Sequence, residues 1–180
     1  MKRLGLVLLL LLTSNIYPET INGHTLPPEP DPKINNSTLL GIDSNNNGVR
    51  DDVERLIIIE EAKNTNFPKT WTAIKLQFAS AWQKMLKNPT IESRRYLGEA
   101  SACREYFINK HTKNMSYKDY RKWRKSHSGI LGVKLQDKLF NTRERIMQRF
   151  EFNRVCSGNI FSPRKHELSA CQTNIDELGE

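Results

Sequence analysis

The stretch FPKTWTAIKLQFASAWQKMLKNP, residues 67–89, carries the strongest periodic pattern in this chain. Its bulky apolar residues recur at steps of three and four, namely at Trp71, Ile74, Phe78, Trp82 and Met85. That spacing places them along one face of an α-helix. Pro68 suits the first turn of such a helix, and Asn88-Pro89 favours its end. The stretch therefore predicts a long amphipathic helix.

Further segments with a helical pattern have approximate limits at 51–63, 90–111, 117–125 and 133–155. Helical spacing in the last of them predicts a buried face made of Leu135, Leu139, Ile146 and Phe150. No alternating apolar run is long enough for a sheet, and no segment repeats. We therefore predict an all-α fold, with a bundle of four or five helices as a single domain over residues 39–180.

The first 15 residues, MKRLGLVLLLLLTSN, are typical of a secretory signal peptide. Lys2 and Arg3 give a positive start, and the apolar run Leu4–Leu12 is shorter than the roughly 20 residues that span a bilayer. We therefore predict that residues 1–15 are removed on export. The mature chain is then periplasmic or secreted and has no membrane span. An uncleaved N-terminal anchor is the alternative interpretation.

Residues 16–38 contain five prolines and few apolar side chains. Such a composition buries little surface, so the segment is predicted to be an extended Pro-rich tether before the helical domain. The whole chain has 28 Lys and Arg residues against 20 Asp and Glu, a formal net charge of +8. A chain of this charge suits anionic partners.

The three cysteines, Cys103, Cys156 and Cys171, allow one disulfide and one remaining thiol in an oxidising compartment. Cys156 and Cys171 are the nearest pair in sequence and bracket a loop with Gly158 and Pro163, so we predict that they form the bond. Pairing of Cys103 with either of them stays open. A zinc site is not expected, because the sequence has neither a CxxC pair nor clustered histidines.

Residues 43–54, DSNNNGVRDDVE, place oxygen-bearing side chains at alternate positions just before a predicted helix. The candidate metal ligands are Asp43, Asn45, Asn47, the carbonyl of Val49, Asp51 and Glu54. Calcium takes six to eight hard oxygen ligands at about 2.3–2.6 Å, and alternate residues of a tight loop can point inward together. Gly48 permits the positive φ that a sharp turn requires.

The pattern DxNxNGxxDxxE resembles an EF-hand calcium loop, of the kind found in uncharacterised bacterial exported proteins in which only the outgoing helix is obvious. The resemblance covers the loop and the helix after it, and implies that the loop binds one Ca²⁺ ion. Arg50 departs from paired EF-hands, which usually carry an aliphatic residue there, and the sequence holds no second loop. The alternative interpretation is a plain turn at Asn47 and Gly48 with Asp51 as a helix N-cap.

Residues 110–128, KHTKNMSYKDYRKWRKSHS, are basic and contain three aromatic side chains. The candidate anion-binding residues of this segment are Lys118, Arg121, Lys122, Arg124 and Lys125. They could pair with anionic groups while Tyr120 or Trp123 stacks on a ligand. We favour the simpler interpretation, a solvated helix whose Tyr117, Tyr120 and Trp123 pack inward.

No catalytic motif is present: the sequence has no GxSxG, HExxH or phosphate-binding loop. We therefore predict a binding protein and not an enzyme, an exported calcium-binding structural or interaction module. Its partners would be calcium and either an anionic envelope polymer or another exported protein. The alternative is a basic protein that binds the envelope surface or nucleic acid through residues 110–128, and nucleic acid is the less expected of these partners.

Overall fold

The computed structural model describes residues 19–63, 66–127 and 132–180. Within these ranges the fold is all-α, as predicted, with seven α-helices, a two-stranded hairpin and a 3₁₀ turn. The strands are β1 (Thr20–Ile21) and β2 (His24–Thr25), and they pair antiparallel. The helices are α1 (Pro32–Asn36), α2 (Asp51–Glu61), α3 (Pro68–Lys87), α4 (Arg94–Thr112), α5 (Tyr117–His127), α6 (Val133–Leu139) and α7 (Arg143–Cys156). The 3₁₀ turn is Leu168–Ala170, and the predicted signal peptide lies outside the described residues.

Helix α3 is the centre of the bundle and packs against α2, α4 and α7. The periodic residues that predicted it form the core, with Trp71, Ile74, Phe78 and Met85 all buried. Trp71 meets Phe107 of α4 edge to face, with 5.1 Å between the ring centroids. Burial of large side chains supplies most of the stabilising free energy of such a fold.

The predicted helix over 133–155 is two helices, because the chain breaks at residues 140–142. Thr142 has extended dihedral angles, and its side chain accepts a hydrogen bond from Arg145 N, so it caps a new helix. Because of this break, the buried residues of α7 are Arg145 and Phe152. Ile146 and Phe150, which we predicted to be buried, are 41% and 60% exposed.

The described part of the predicted tether is folded rather than extended. Asn22 and Gly23 form a turn with positive φ between the strands. Asp31 caps α1 by accepting hydrogen bonds from two backbone N–H groups, and Asn35 at its end is buried. Apolar and polar contacts both hold the segment on the helical domain, since Leu26 is buried and Arg55 Nη1 donates to Pro27 O at 2.7 Å.

The disulfide joins Cys103 and Cys171, whose Cα atoms are 4.8 Å apart, and Cys156 is a free thiol. The predicted pair Cys156–Cys171 is therefore wrong. The 3₁₀ turn packs on α4 and brings Cys171 against Cys103, 68 residues away in sequence. Gln77 of α3 fixes this segment, because its Nε2 donates to Ala170 O at 2.8 Å.

Candidate metal centre

The loop 43–54 connects the N-terminal segment to α2 and is closed by backbone geometry. Asp51 N donates to Ile42 O at 2.8 Å, which joins the two ends of the turn. Gly48 has φ +81°, as the sequence requires, and a Cβ there would also lie 3.2 Å from Ser80 Oγ. Glycine is therefore needed at this position both for its dihedral angle and for space.

Side-chain oxygens turn toward the inside of this loop. The Asp43 carboxylate accepts from Asn47 N at 3.1 Å and from Gly48 N at 2.8 Å. Asn47 Oδ1 accepts from Val49 N at 2.8 Å. Asp51 is the first residue of α2 and not its N-cap, and its Oδ1 accepts from Ser44 N at 2.9 Å. The Asp51 capping role in the plain-turn interpretation is therefore wrong.

Glu54 lies one turn into α2, is only 5% exposed and closes the far side of the loop. Asn45 Nδ2 donates to its Oε2 at 3.1 Å. Burial raises the pKa of Glu54, and the carboxylates of Asp51 and Asp43 raise it further, against the lowering by hydrogen bonds from Asn45 and Asn47. The loop therefore brings its three acids close enough to repel one another.

Charge compensation distinguishes these acids from their neighbours on α2. The neighbouring ion pairs are Asp52–Arg50, Glu60–Lys63 and Glu61–Lys75. Asp43, Asp51 and Glu54 form no ion pair with any described Lys, Arg or His, although the chain has a net charge of +8. A buried carboxylate without a cation is costly, so this cluster lacks positive charge.

The chemical types of the donor atoms suit a hard cation, but the side chains are not arranged around a common point as a bound ion would require. Within residues 19–63, 66–127 and 132–180, no group of three or more His, Cys, Asp or Glu side chains is gathered as a metal ion requires. The predicted set adds two asparagine oxygens and the Val49 carbonyl to its three carboxylates, and all six are the oxygen ligands that calcium prefers. Asn45 now presents its Nδ2 to Glu54, and would have to turn its amide to offer Oδ1.

Arg50, the departure from paired EF-hands, points away from the loop into the domain and is 1% exposed. Its Nε donates to Asp52 Oδ1 at 2.5 Å, and its Nη2 donates to Lys138 O in α6. The stem passes under Gly41, where an added Cβ would clash with Arg50 Cδ at 2.3 Å. The position that contacts a partner loop in paired EF-hands here joins the loop to α6.

Arg145 of α7 is a second buried arginine. The polar run 141–145 predicts a structural ion pair between Arg143 or Arg145 and the acids of α2, but Arg145 contacts neutral oxygens of residues 35–39 instead. It is fully buried, and its guanidinium donates to Leu39 O at 2.9 Å and to Asn35 O at 2.8 Å. It also donates to Thr38 O, Asn36 Oδ1 and Asn141 Oδ1. Burial, together with the nearby charge of Arg50, lowers the pKa of Arg145 to about 10. The only signal in the sequence was the polar run at 141–145.

The candidate anion-binding residues lie on the exposed surface of α5, and all five are exposed: Lys118, Arg121, Lys122, Arg124 and Lys125. Only part of the predicted inward packing is present. Trp123 packs toward the core, 6.2 Å from Phe107 between ring centroids. Tyr117 is 76% exposed, and the Arg121 guanidinium lies 5.9 Å from its ring centroid.

Comparison with protein-family models, with curated proteins and with solved structures finds no match for this chain. None of the helices in the described ranges combines the length and the apolar composition that crossing a membrane requires. Function therefore has to be inferred from the loop 43–54, from the buried arginines beside it and from the exposed surface.

Proposed function

We propose that the protein is an exported calcium-binding module with a structural or interaction role. One Ca²⁺ ion would be held by the side chains of Asp43, Asn45, Asn47, Asp51 and Glu54 and by the carbonyl of Val49. The observation that supports this proposal is the charge imbalance: three acids of one loop form no ion pair with a described cation, while the neighbouring acids of α2 are paired. A bound calcium ion would supply the missing positive charge.

The affinity should be modest. The loop has only three carboxylates and no second loop to order it, and dissociation constants of about 10⁻⁴–10⁻³ M are typical of extracellular calcium modules. Val49 and Val53, on either side of the α2 start, are 3% and 1% exposed in the core. Ordering of the loop would therefore be transmitted directly to the packing of α2 against α3.

Calorimetric titration of the mature protein with calcium, with magnesium as the control ion, tests the proposal. Glu54→Gln should abolish most of the binding, because it removes the carboxylate that closes the loop. Glu60→Gln is the matched control, since Glu60 lies on the same helix and contacts Lys63 and Lys134 instead of the loop. Equal calcium binding by the parent and by Glu54→Gln would refute the assignment.

Export is the second part of the proposal. It is supported by the predicted signal peptide over residues 1–15 and by the Cys103–Cys171 bond, since disulfides persist mainly in oxidising compartments. Cell fractionation and sequencing of the mature N-terminus should find a periplasmic or secreted chain that begins near residue 15 or 16. A full-length chain in the cytosol would contradict this part.

A second candidate function is binding of an anionic envelope polymer by α5. The exposure of Tyr117 beside Arg121 favours it, because a ring and a cation are offered to solvent together. Changing Lys122, Arg124 and Lys125 to Gln together tests it. A large, salt-sensitive loss of affinity for an anionic polysaccharide would support this function, and unchanged binding would leave α5 as a solvated helix.

A further inference from the structure

A cleft of about 590 Å³ lies between the first turns of α4 and the returning segment 161–166. Its volume falls within the range of about 300–1,000 Å³ that small-molecule sites occupy. Ile91, Phe161 and Pro163 give it apolar walls. Its lining also includes Arg94, Arg95, Arg164 and His166. Apolar walls with a few convergent polar groups are typical of sites for small organic ligands.

Two guanidinium groups converge over the floor of this cleft at Gly98. A Cβ placed on Gly98 would lie 3.3 Å from Arg164 Nε and 3.4 Å from Arg94 Nη1. Both cationic groups therefore reach the same point, and the missing side chain of Gly98 leaves that point open. Two like charges held this close are stabilised when an anion lies between them.

The acids around the cleft compensate these arginines only in part. Arg164 Nη2 lies 3.6 Å from Glu99 Oε1, a long contact between partly exposed groups. The Arg94 guanidinium lies 5.2 Å from the Phe161 ring centroid and forms no ion pair within the described ranges. Glu92 and Glu105 also line the cleft, and Glu105 is paired with Arg104. Arg94 therefore keeps its charge available to a ligand.

We infer that this cleft binds a small aromatic or aliphatic anion, with its carboxylate or phosphate group between Arg94 and Arg164 and its apolar part against Phe161 and Pro163. Guanidinium groups suit this role because their planar donor arrays match carboxylate and phosphate oxygens in pairs. The site lies on α4, and none of its residues belongs to the loop 43–54, so it goes beyond calcium binding and does not depend on it.

Binding of phenyl phosphate, benzoate and inorganic phosphate to the mature protein, measured by calorimetry at low salt, tests the inference. An organic anion should bind with a dissociation constant of about 1 mM or below, and inorganic phosphate should bind more weakly because it makes no contact with the apolar wall. The ratio of phenyl phosphate to benzoate affinity decides whether the site prefers phosphate or carboxylate.

Arg94→Gln should weaken binding about tenfold or more, the scale of one charge-assisted hydrogen bond. Lys110→Gln is the matched control. Lys110 lies on the same helix but does not line the cleft, and its Nζ pairs with Asp176 Oδ2 at 2.8 Å. Its substitution removes one positive charge and should change the affinity less than threefold.

Gly98→Ala provides a variant that should remain folded, since alanine favours a helix more than glycine does. Its methyl group would occupy the space between the two guanidiniums, so the affinity should fall about as much as in Arg94→Gln. Absence of saturable binding at about 10 mM ligand, well above a millimolar dissociation constant, would overturn the inference. So would equal losses in the Arg94 and Lys110 variants, because they would show diffuse attraction instead of a site.

Discussion

Two neighbouring regions of this molecule manage buried charge in opposite ways. In the loop 43–54, the carboxylates of Asp43 and Asp51 raise the pKa of Glu54, and none of the three pairs with a described cation. Beside it, Arg50 and Arg145 are both buried. Asp52 pairs with Arg50, and Arg145 forms no ion pair with any acid in the described residues. Arg145 is held by neutral carbonyl and amide oxygens of the fold. Arg50 is held by the Asp52 carboxylate and by Lys138 O, although its Nη1 is buried without a hydrogen-bond partner in the described residues. Asp43 and Asp51 accept from backbone N–H groups and Glu54 accepts from the Asn45 amide, but none of these three acids forms an ion pair with a described cation.

Substitution of Arg145 gives the strongest test of this comparison. Arg145→Met should lower the free energy of unfolding by about 3–5 kcal/mol, because several buried oxygens lose their donor together. Arg145→Lys should recover only part of the loss, since one ammonium cannot reach acceptors spread around a planar guanidinium. Urea unfolding measures both.

Arg143→Met is the control for this change. Arg143 lies on the same helix and is exposed, so its substitution should alter the free energy of unfolding by about 0.5 kcal/mol or less. If Arg145→Met cost no more than this control, the guanidinium would not be holding the N-terminal segment on α7.

Calcium should act on the other region with the next largest effect. With free calcium at about 100 times the dissociation constant, mass action should raise the free energy of unfolding by about 2.7 kcal/mol. Glu54→Gln should lose this gain, yet without calcium it should be at least as stable as the parent, because it removes an uncompensated buried charge. Thermal unfolding of both proteins, with and without calcium, checks the lost gain and the unreduced calcium-free stability. An equal calcium-dependent gain in the parent and in Glu54→Gln would mean that Glu54 has a purely structural role.

Asp52 belongs to the arginine region, although it lies between two loop acids in sequence. Asp52→Asn should cost about 2 kcal/mol, because Arg50 loses its carboxylate partner inside the fold. The calcium-dependent gain in stability should remain, because the Asp52 side chain contacts Arg50 and not the loop interior. Loss of calcium binding in this variant would show that the two regions are not separate.

The sequence predicted the features that depend on local spacing. The steps of three and four from Trp71 to Met85 located α3 and its buried face, and Gly48 was correctly assigned a positive φ. The inward turn of Asp43 and Asn47 follows from the same short-range geometry.

Features that depend on long-range contacts were not predictable in this way. Cys103 meets Cys171 only because the 3₁₀ turn packs on α4, and no spacing rule encodes that contact. Arg143 or Arg145 was expected to pair with the acids of α2, since a sequence does not show that carbonyl groups more than 100 residues away will surround Arg145. Nothing in the spacing distinguished an arginine buried in this way from the exposed Arg143.

The smallest expected effect is the dependence of the unfolding free energy on pH, and its direction should reverse when calcium is bound. Burial raises the pKa of Glu54 above its ordinary value of 4.5, so in the calcium-free protein the folded state binds this proton more tightly than the unfolded state. The contribution of Glu54 to stability should therefore increase as the pH falls through the raised pKa toward 4.5. Glu60 behaves in the opposite way, since its hydrogen bond with Lys63 lowers its pKa and its contribution is lost on acidification. The difference in unfolding free energy between the parent and Glu54→Gln isolates the first effect: without calcium it should be largest near neutral pH and vanish near pH 4. With saturating calcium the parent should instead lose stability over the same range, because protons then compete with the cation for Glu54. A difference that does not vary with pH in either condition would contradict the assignment of Glu54 as the uncompensated acid of the loop.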